Sequence, residues 1–107
     1  MNHITIAGTI TSEVQQKTVS TRTGESSLAS MLVASSGAHR VTVGVSAWGD
    51  LGKYVCENFR KGDFIVLSGY LHINSVKQPD GSYRNYSEVI AEVVDPPRQV
   101  DSPVAPN

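Results

Sequence analysis

Apolar residues recur at every second position along most of this chain, and this alternation limits the fold more than any other feature. The clearest example is Arg40–Trp48, where one side carries Val41, Val43, Val45 and Ala47. A period of two is the side-chain repeat of a β-strand with one buried face. The pattern therefore indicates a chain built mainly of β-strands.

The other predicted strands are bounded by turn signals or chain breakers. Between the last two lies Gln78-Pro79-Asp80-Gly81, with proline early and glycine late as a tight turn requires. These strands are Ile4–Ile10, a weaker one at Val14–Arg22, the short apolar stretch Leu28–Ala34, a buried run from Phe64 to about Val76, and the return strand Tyr83–Val94.

One segment changes its period. Leu51, Tyr54, Val55 and Phe59 recur every three to four residues, which predicts a short helix between about residues 50 and 60, with Asp50 as N-cap. We take the order as three strands, one helix and two strands. This order favours a five-stranded OB-fold, a Greek-key β-barrel with the helix between strands 3 and 4. An SH3-like barrel is the alternative, but it has no natural place for that helix.

The length of 107 residues suits one small domain. We assign residues 1–95 to the barrel. Residues 96–107 contain four prolines and few apolar side chains, which predicts a disordered tail. A domain this small gains stability by burying apolar surface between copies, so we expect a homodimer or homotetramer.

Several classes of protein are disfavoured by composition. No apolar run approaches the ~20 residues of a membrane span, and the first residues lack the pattern of a signal peptide, so we expect a cytoplasmic protein. The single Cys56 and the scattered histidines do not have the spacing of a metal site, and we expect no cofactor. No phosphate-cradling glycine motif or Ser–His–Asp arrangement is evident, so we expect no enzyme.

The charge is balanced overall but unevenly placed. The chain has nine Lys and Arg residues and ten Asp and Glu residues, and this near-zero net charge argues against a purely electrostatic nucleic-acid binder. Between Lys17 and Arg84, however, eight basic residues outnumber five acidic ones. This surplus is either scatter in a small sample or the sign of a local basic face.

The stretch Ala47-Trp48-Gly49-Asp50-Leu51 resembles the bacterial single-stranded DNA-binding protein (SSB) family, at its aromatic–Gly–x–Leu step from the third strand into the helix. The resemblance covers roughly residues 3–94. It implies an OB-fold that binds single-stranded DNA, or RNA, without sequence preference in replication, recombination or repair. The other matching pieces are the first strand with Gly8, Lys61-Gly62, Phe64–Leu67 with Gly69, Asp80-Gly81, Arg84, and Ser87–Val89.

The chain departs from the family pattern where the family binds DNA and partners. In the family, bases stack on exposed aromatic residues and basic side chains hold the phosphates. Trp48 stands at one such aromatic position, but Thr42 and Val76 stand where other members carry aromatic residues. The end of the chain has no acidic cluster of the kind that recruits replication and repair enzymes. The chain therefore resembles a short, atypical member without the acidic tip.

Binding of single-stranded nucleic acid needs aromatic surfaces for bases and cations for phosphates. Trp48 is the first candidate, with a core position at the strand–helix junction as the alternative. Tyr70 is another, with the barrel lining or an oligomer interface as alternatives. The full candidate set is Arg40, Thr42 and Trp48 on the third strand, Tyr70 and His72 on the fourth, Lys77, Tyr83, Arg84 and Tyr86 on the final hairpin, and Lys17 and Arg22 beside the first hairpin loop.

Three functions fit these features. The first is a protein that coats single-stranded DNA without sequence preference. The second is an accessory protein of replication restart that resembles the primosomal replication protein N and binds DNA together with replication or primosome proteins. The third is an OB-fold that binds little DNA and serves as an oligomeric protein-interaction module.

Overall fold

A computed structural model describes residues 1–97 of the chain; the predicted tail lies outside these residues from position 98 onward. The strands pair in the order β1-β5-β6-β4-β3-β2, and a further pairing of β1 with β3 closes the barrel. This confirms the predicted all-β barrel with one helix before the last two strands. The elements are β1 (Ile4–Ile10), β2 (Gln15–Thr21), β3 (Gly24–Ser35), β4 (Thr42–Trp48), α1 (Gly49–Asn58), β5 (Phe64–Lys77) and β6 (Tyr83–Val94).

The predicted order of three strands, one helix and two strands is one strand short, because all six predicted segments form separate strands within residues 1–97. β1 ends opposite Val33 and β2 begins opposite Ser30, so both pair with β3, one after the other. The intervening residues 11–14 have only two β3 residues opposite them and leave the ladder. Ser12 holds this break, because its Oγ accepts a hydrogen bond from the N–H of Leu32 at 2.8 Å.

The core lies inside the barrel and follows the predicted alternation. The helix α1 contacts β3 and β4 and adds Val55 and Phe59 to the same apolar cluster. Tyr54 packs edge-on against Phe59, with ring centroids 6.3 Å apart. The buried apolar residues are Ile6, Ile10, Ala29, Met31, Val33, Val45, Ala47, Val55, Phe59, Ile65, Leu67, Val89 and Ala91.

The helix follows β4 without a linker. Trp48 is both the last residue of β4 and the N-cap, and its side chain makes no capping hydrogen bond. The prediction that Asp50 is the N-cap is therefore wrong, since Asp50 lies within the first turn. Gly49 permits the abrupt change, because its φ of +66° costs other residues about 1–2 kcal/mol.

The last two strands leave the barrel as a long hairpin. Gly69 is the last buried residue of β5, and the pairing with β6 shifts between Ser68 and Gly69. Beyond it, residues 71–77 of β5 and 83–87 of β6 are exposed. Residues 73–77 pair with residues 83–87, whereas Leu71 and His72 pair with Val89 and Glu88, and the Asn2 side chain bonds to the Leu71 backbone. We call these residues and their turn the arm.

Among residues 1–97, no helix has the length and apolar character needed to cross a membrane.

Candidate nucleic-acid interface

One surface of the sheet collects most of the predicted site residues. Val45 and Ala47 of β4 point into the core, so the alternate residues of β4 point outward. Paired residues on neighbouring strands share a face. The outer face, as we define it, contains Leu28, Ser30 and Leu32 of β3, Thr42, Gly44, Ser46 and Trp48 of β4, Tyr70, His72, Asn74 and Val76 of β5, and Arg84, Tyr86, Glu88 and Ile90 of β6.

Trp48 lies at one end of the outer face. Its exposed fraction of 41% excludes the alternative of a core position. It pairs with Leu28 of β3, which in turn pairs with Lys17 of β2. The three residues therefore form one row across the sheet, with the cation of Lys17 at one end, Leu28 in the middle and the aromatic ring of Trp48 at the other end.

Tyr86 lies toward the other end of the outer face, on the arm, with an exposed fraction of 48%. The Arg84 guanidinium lies over its ring, 5.7 Å from the centroid. This contact orients the ring and brings a cation next to a flat aromatic surface. The pair places a positive charge beside an exposed aromatic ring.

Tyr83 and Lys77 lie on the opposite side of the arm. They pair with each other at the end of the hairpin, and Tyr83 has an exposed fraction of 68%. Strand parity predicts that Tyr83 and Tyr86 face opposite ways, and the structure agrees. Tyr83 and Lys77 are therefore not part of the outer face.

The remaining candidates have varied positions. Tyr70 is half-buried on the outer face, and exposed Thr42 lies there too. His72 lies opposite Glu88, and its Nε2 is 3.1 Å from Oδ1 of Asn74. Two other candidates lie outside the strands: Arg40 is in the loop before β4, although the sequence predicts it on that strand, and Arg22 is in the β2–β3 turn.

A cleft of about 320 Å³ lies in the middle of the outer face and was not predicted. Gly44 and Ser46 of β4 line it together with Glu88 of β6. The Ser46 hydroxyl donates a hydrogen bond of 2.6 Å to Oε1 of Glu88. No sequence signal points to this pair, because the two residues meet only through the parallel pairing of β4 with β6.

The turn of the arm is held by hydrogen bonds to a carboxylate. Oδ1 of Asp80 accepts bonds from the N–H of Ser82 at 2.9 Å and from its hydroxyl at 2.6 Å. These bonds favour the charged form and hold the pKa of Asp80 below its ordinary value. Gly81, with φ of +91°, completes the turn.

Replacing Ser82 by alanine is expected to raise the pKa of Asp80 toward its ordinary value, because the hydroxyl bond is the largest cause of the shift. A lowered pKa stabilises the turn above the ordinary pKa of the carboxyl, and that stability is lost as the pH falls through the lowered value. Carboxyl chemical shifts followed by NMR during an acid titration measure the pKa of Asp80 in the wild type and in the variant. An unchanged Asp80 midpoint in the variant would contradict this account.

Two of three comparisons relate the chain to known proteins. A protein-family model described as "Single-strand binding protein family" matches residues 1–97. A comparison with curated protein sequences gave no match.

Within residues 1–97, no group of three or more His, Cys, Asp or Glu side chains is arranged to hold a metal ion.

Solved structures of bacterial SSB proteins are similar to the chain. The second single-stranded DNA-binding protein of Mycobacterium smegmatis is 26% identical with a TM-score of 0.67, covering 89% of this chain and 87% of that one. The SSB domain of a Synechococcus sp. protein is 23% identical with a TM-score of 0.68, covering 88% and 93%. A deletion mutant of the Thermus aquaticus protein is 20% identical with a TM-score of 0.72, covering 96% and 44%.

These structures support the OB-type barrel. The Synechococcus sp. and Thermus aquaticus structures, at 23% and 20% identity, are evidence for the fold alone. The family model covers nearly the whole chain and every strand of the barrel. It also includes both ends of the outer face. The chain belongs to the single-strand binding protein family.

Proposed function

We propose that the chain binds single-stranded DNA along the outer face, by stacking bases on exposed aromatic rings and pairing phosphates with nearby cations. Membership of the single-strand binding protein family supports this function. The observation that carries the choice of surface is the exposed Trp48 on the outer face. Such binding depends little on sequence, because every base has a face that can stack.

The two best-exposed rings of the outer face define a path for the strand. The parallel pairing aligns Gly44 with Glu88, and continuing this register by two residues toward the start of both strands brings Tyr86 level with Thr42. Trp48 is six residues further along β4, which is roughly 20 Å at about 3.3 Å per residue. A bound strand that stacks on both Trp48 and Tyr86 therefore crosses the cleft and spans several nucleotides. Half-buried Tyr70 lies beside this path.

Cations border the path at both ends. Lys17 continues the Trp48 row, and Arg84 lies over Tyr86. Arg40 is exposed in the loop before β4, next to the Thr42 end. We assign phosphate contacts to these three residues. The other candidates, Arg22, Lys77 and Tyr83, would contact a strand only where it wraps around a hairpin.

Titration of the intrinsic fluorescence of Trp48, the sole tryptophan, with oligo-dT tests this function. We expect a saturable change that weakens with salt, with a slope of about 0.7 in log K against log salt for each phosphate contacted. Fluorescence anisotropy of a labelled oligonucleotide gives binding independently. Binding by anisotropy without any change at Trp48 would refute the proposed surface, and no binding by either method would refute the function.

Self-association is a second part of the proposal. β1 pairs with β5 along one edge, but with β3 only through Gly8–Ile10 along the other. Residues 4–6 therefore have an edge to which no strand within residues 1–97 is paired. Such an edge is a template for pairing with another chain. We propose a homodimer or homotetramer, and light scattering that gives a monomer mass at tens of micromolar would contradict it.

A further inference from the structure

The cleft in the outer face has a feature that non-selective DNA binding does not explain. Glu88 places a carboxylate midway along a path proposed for a polyanion. Within residues 1–97, it forms no ion pair, and its one side-chain hydrogen bond comes from Ser46. A carboxylate there repels phosphates, so it weakens binding unless it contacts another part of the strand. Only the bases offer hydrogen-bond donors to it.

The cleft has room for such a contact. Gly44 lies beside Glu88 and carries no side chain, and a Cβ there would meet no atom within 4 Å. On the other side of Gly44, Leu32 has an exposed fraction of 46% and offers an apolar surface to the face of a base. The volume of about 320 Å³ is at the lower end of the range for small-molecule sites.

The Glu88 carboxylate is held in one orientation and can still accept hydrogen bonds from the edge of a base. Ser46 is buried, and its hydroxyl bond to Oε1 restricts rotation of the Glu88 side chain. Oε1 keeps a second lone pair, and no group within residues 1–97 donates to Oε2. The two oxygens together can accept a pair of parallel N–H bonds.

We propose that this cleft binds the Watson–Crick edge of guanine, so that the DNA-binding face prefers guanine at one position of the bound strand. Guanine carries two adjacent donors on that edge, N1–H and the N2 amino group. Adenine, cytosine and thymine each present a donor next to an acceptor, which would face the second carboxylate oxygen. Single-stranded bases are commonly recognised on this edge. The proposal rests on the proposed function, since it concerns the same face.

The test uses dodecamers of dT in which one dG is moved through the sequence, with affinity measured by competition at fixed salt. At the best position we expect affinity at least 5-fold above the dT parent, because a good bidentate contact discriminates by about 1–3 kcal/mol. Neither dA nor dC at that position should reproduce the gain. Deoxyinosine lacks the N2 amino group and should lose most of it, whereas 7-deaza-dG keeps the edge and should retain it.

Three variants locate the effect. Glu88→Gln should abolish the preference and keep or raise affinity for oligo-dT, because it removes the negative charge and can still accept the Ser46 bond. Glu92→Gln removes the same charge from an exposed position on the same strand outside the cleft, and should keep the preference. Gly44→Val should fill the cleft and abolish the preference while the protein stays folded by circular dichroism.

The outcomes separate this inference from the proposed function. Binding of oligo-dT with equal affinity for all single substitutions would overturn the guanine site and leave the proposed function standing. A preference that survives in Glu88→Gln would also overturn it. Binding of dG-containing strands alone would support the site and refute sequence-independent binding, and failure to bind any of these strands would refute both.

Discussion

Replacing Trp48 by alanine is expected to weaken binding of oligo-dT about 5- to 150-fold, while the protein stays folded. Stacking of one base on an aromatic ring contributes about 1–3 kcal/mol, and Trp48 is the largest exposed ring on the outer face. The side chain makes no capping hydrogen bond, so its removal leaves no buried polar group unsatisfied. Anisotropy of a labelled oligonucleotide is the measurement, since the variant lacks tryptophan.

Two tyrosines of the arm supply a matched control. Tyr86→Ala removes a ring from the outer face, and Tyr83→Ala removes a more exposed ring from the opposite side. We expect Tyr86→Ala to weaken binding and Tyr83→Ala to change it much less. If Trp48→Ala binds like the wild type, or if Tyr83→Ala is the more damaging of the two tyrosine variants, the DNA path runs elsewhere.

Replacing Gly69 by alanine is expected to lower the free energy of unfolding by about 3 kcal/mol. A Cβ at this position would overlap the carbonyl oxygen of Ile90 on β6, and backbone on both strands would have to move. Overpacking of this kind typically costs about 1–3 kcal/mol, and a clash with backbone belongs at the upper end. Urea denaturation followed by circular dichroism measures the loss.

Gly44→Ala is the control for this stability prediction. Gly44 also lies inside a strand, but an added Cβ there has no neighbour within 4 Å. Because alanine loses less backbone entropy than glycine, the variant should be as stable as the wild type or more stable by about 0.5 kcal/mol. Equal stability of the two alanine variants would show that the strands at Gly69 move apart at little cost.

The secondary structure of the barrel was predictable because the spacing of apolar residues in each strand and in the helix depends on which of its faces is buried. The alternation in β4 reflects one buried face, and the three-to-four spacing from Leu51 to Phe59 reflects a helix packed on the core. The predicted helix, about 50–60, differs from Gly49–Asn58 by one or two residues. The start was misplaced because a glycine with positive φ joins strand to helix directly, and no side-chain pattern records that.

The candidate site was predictable only in part. Strand parity separates Tyr83 from Tyr86 and places Trp48 opposite the core valines, because parity is a local property. The position of Arg40 was wrong, since β4 begins at Thr42, and the count of five strands was wrong, since Ile4–Ile10 and the segment near Val14–Arg22 form two separate strands before β3. Strand ends depend on which partner supplies hydrogen bonds, and the chain's own pattern does not contain this information.

By itself, the sequence determined the strand and helix segments, the core side of each strand and the family, because these depend on neighbouring residues and their order. Only the tertiary structure decided that Glu88 lies beside Ser46, 42 residues away, in a cleft floored by Gly44. The barrel closes by pairing β4 in parallel with β6, and that register is set by packing of the whole core. A contact across such a pairing has no local periodicity, so it cannot be read from either strand alone.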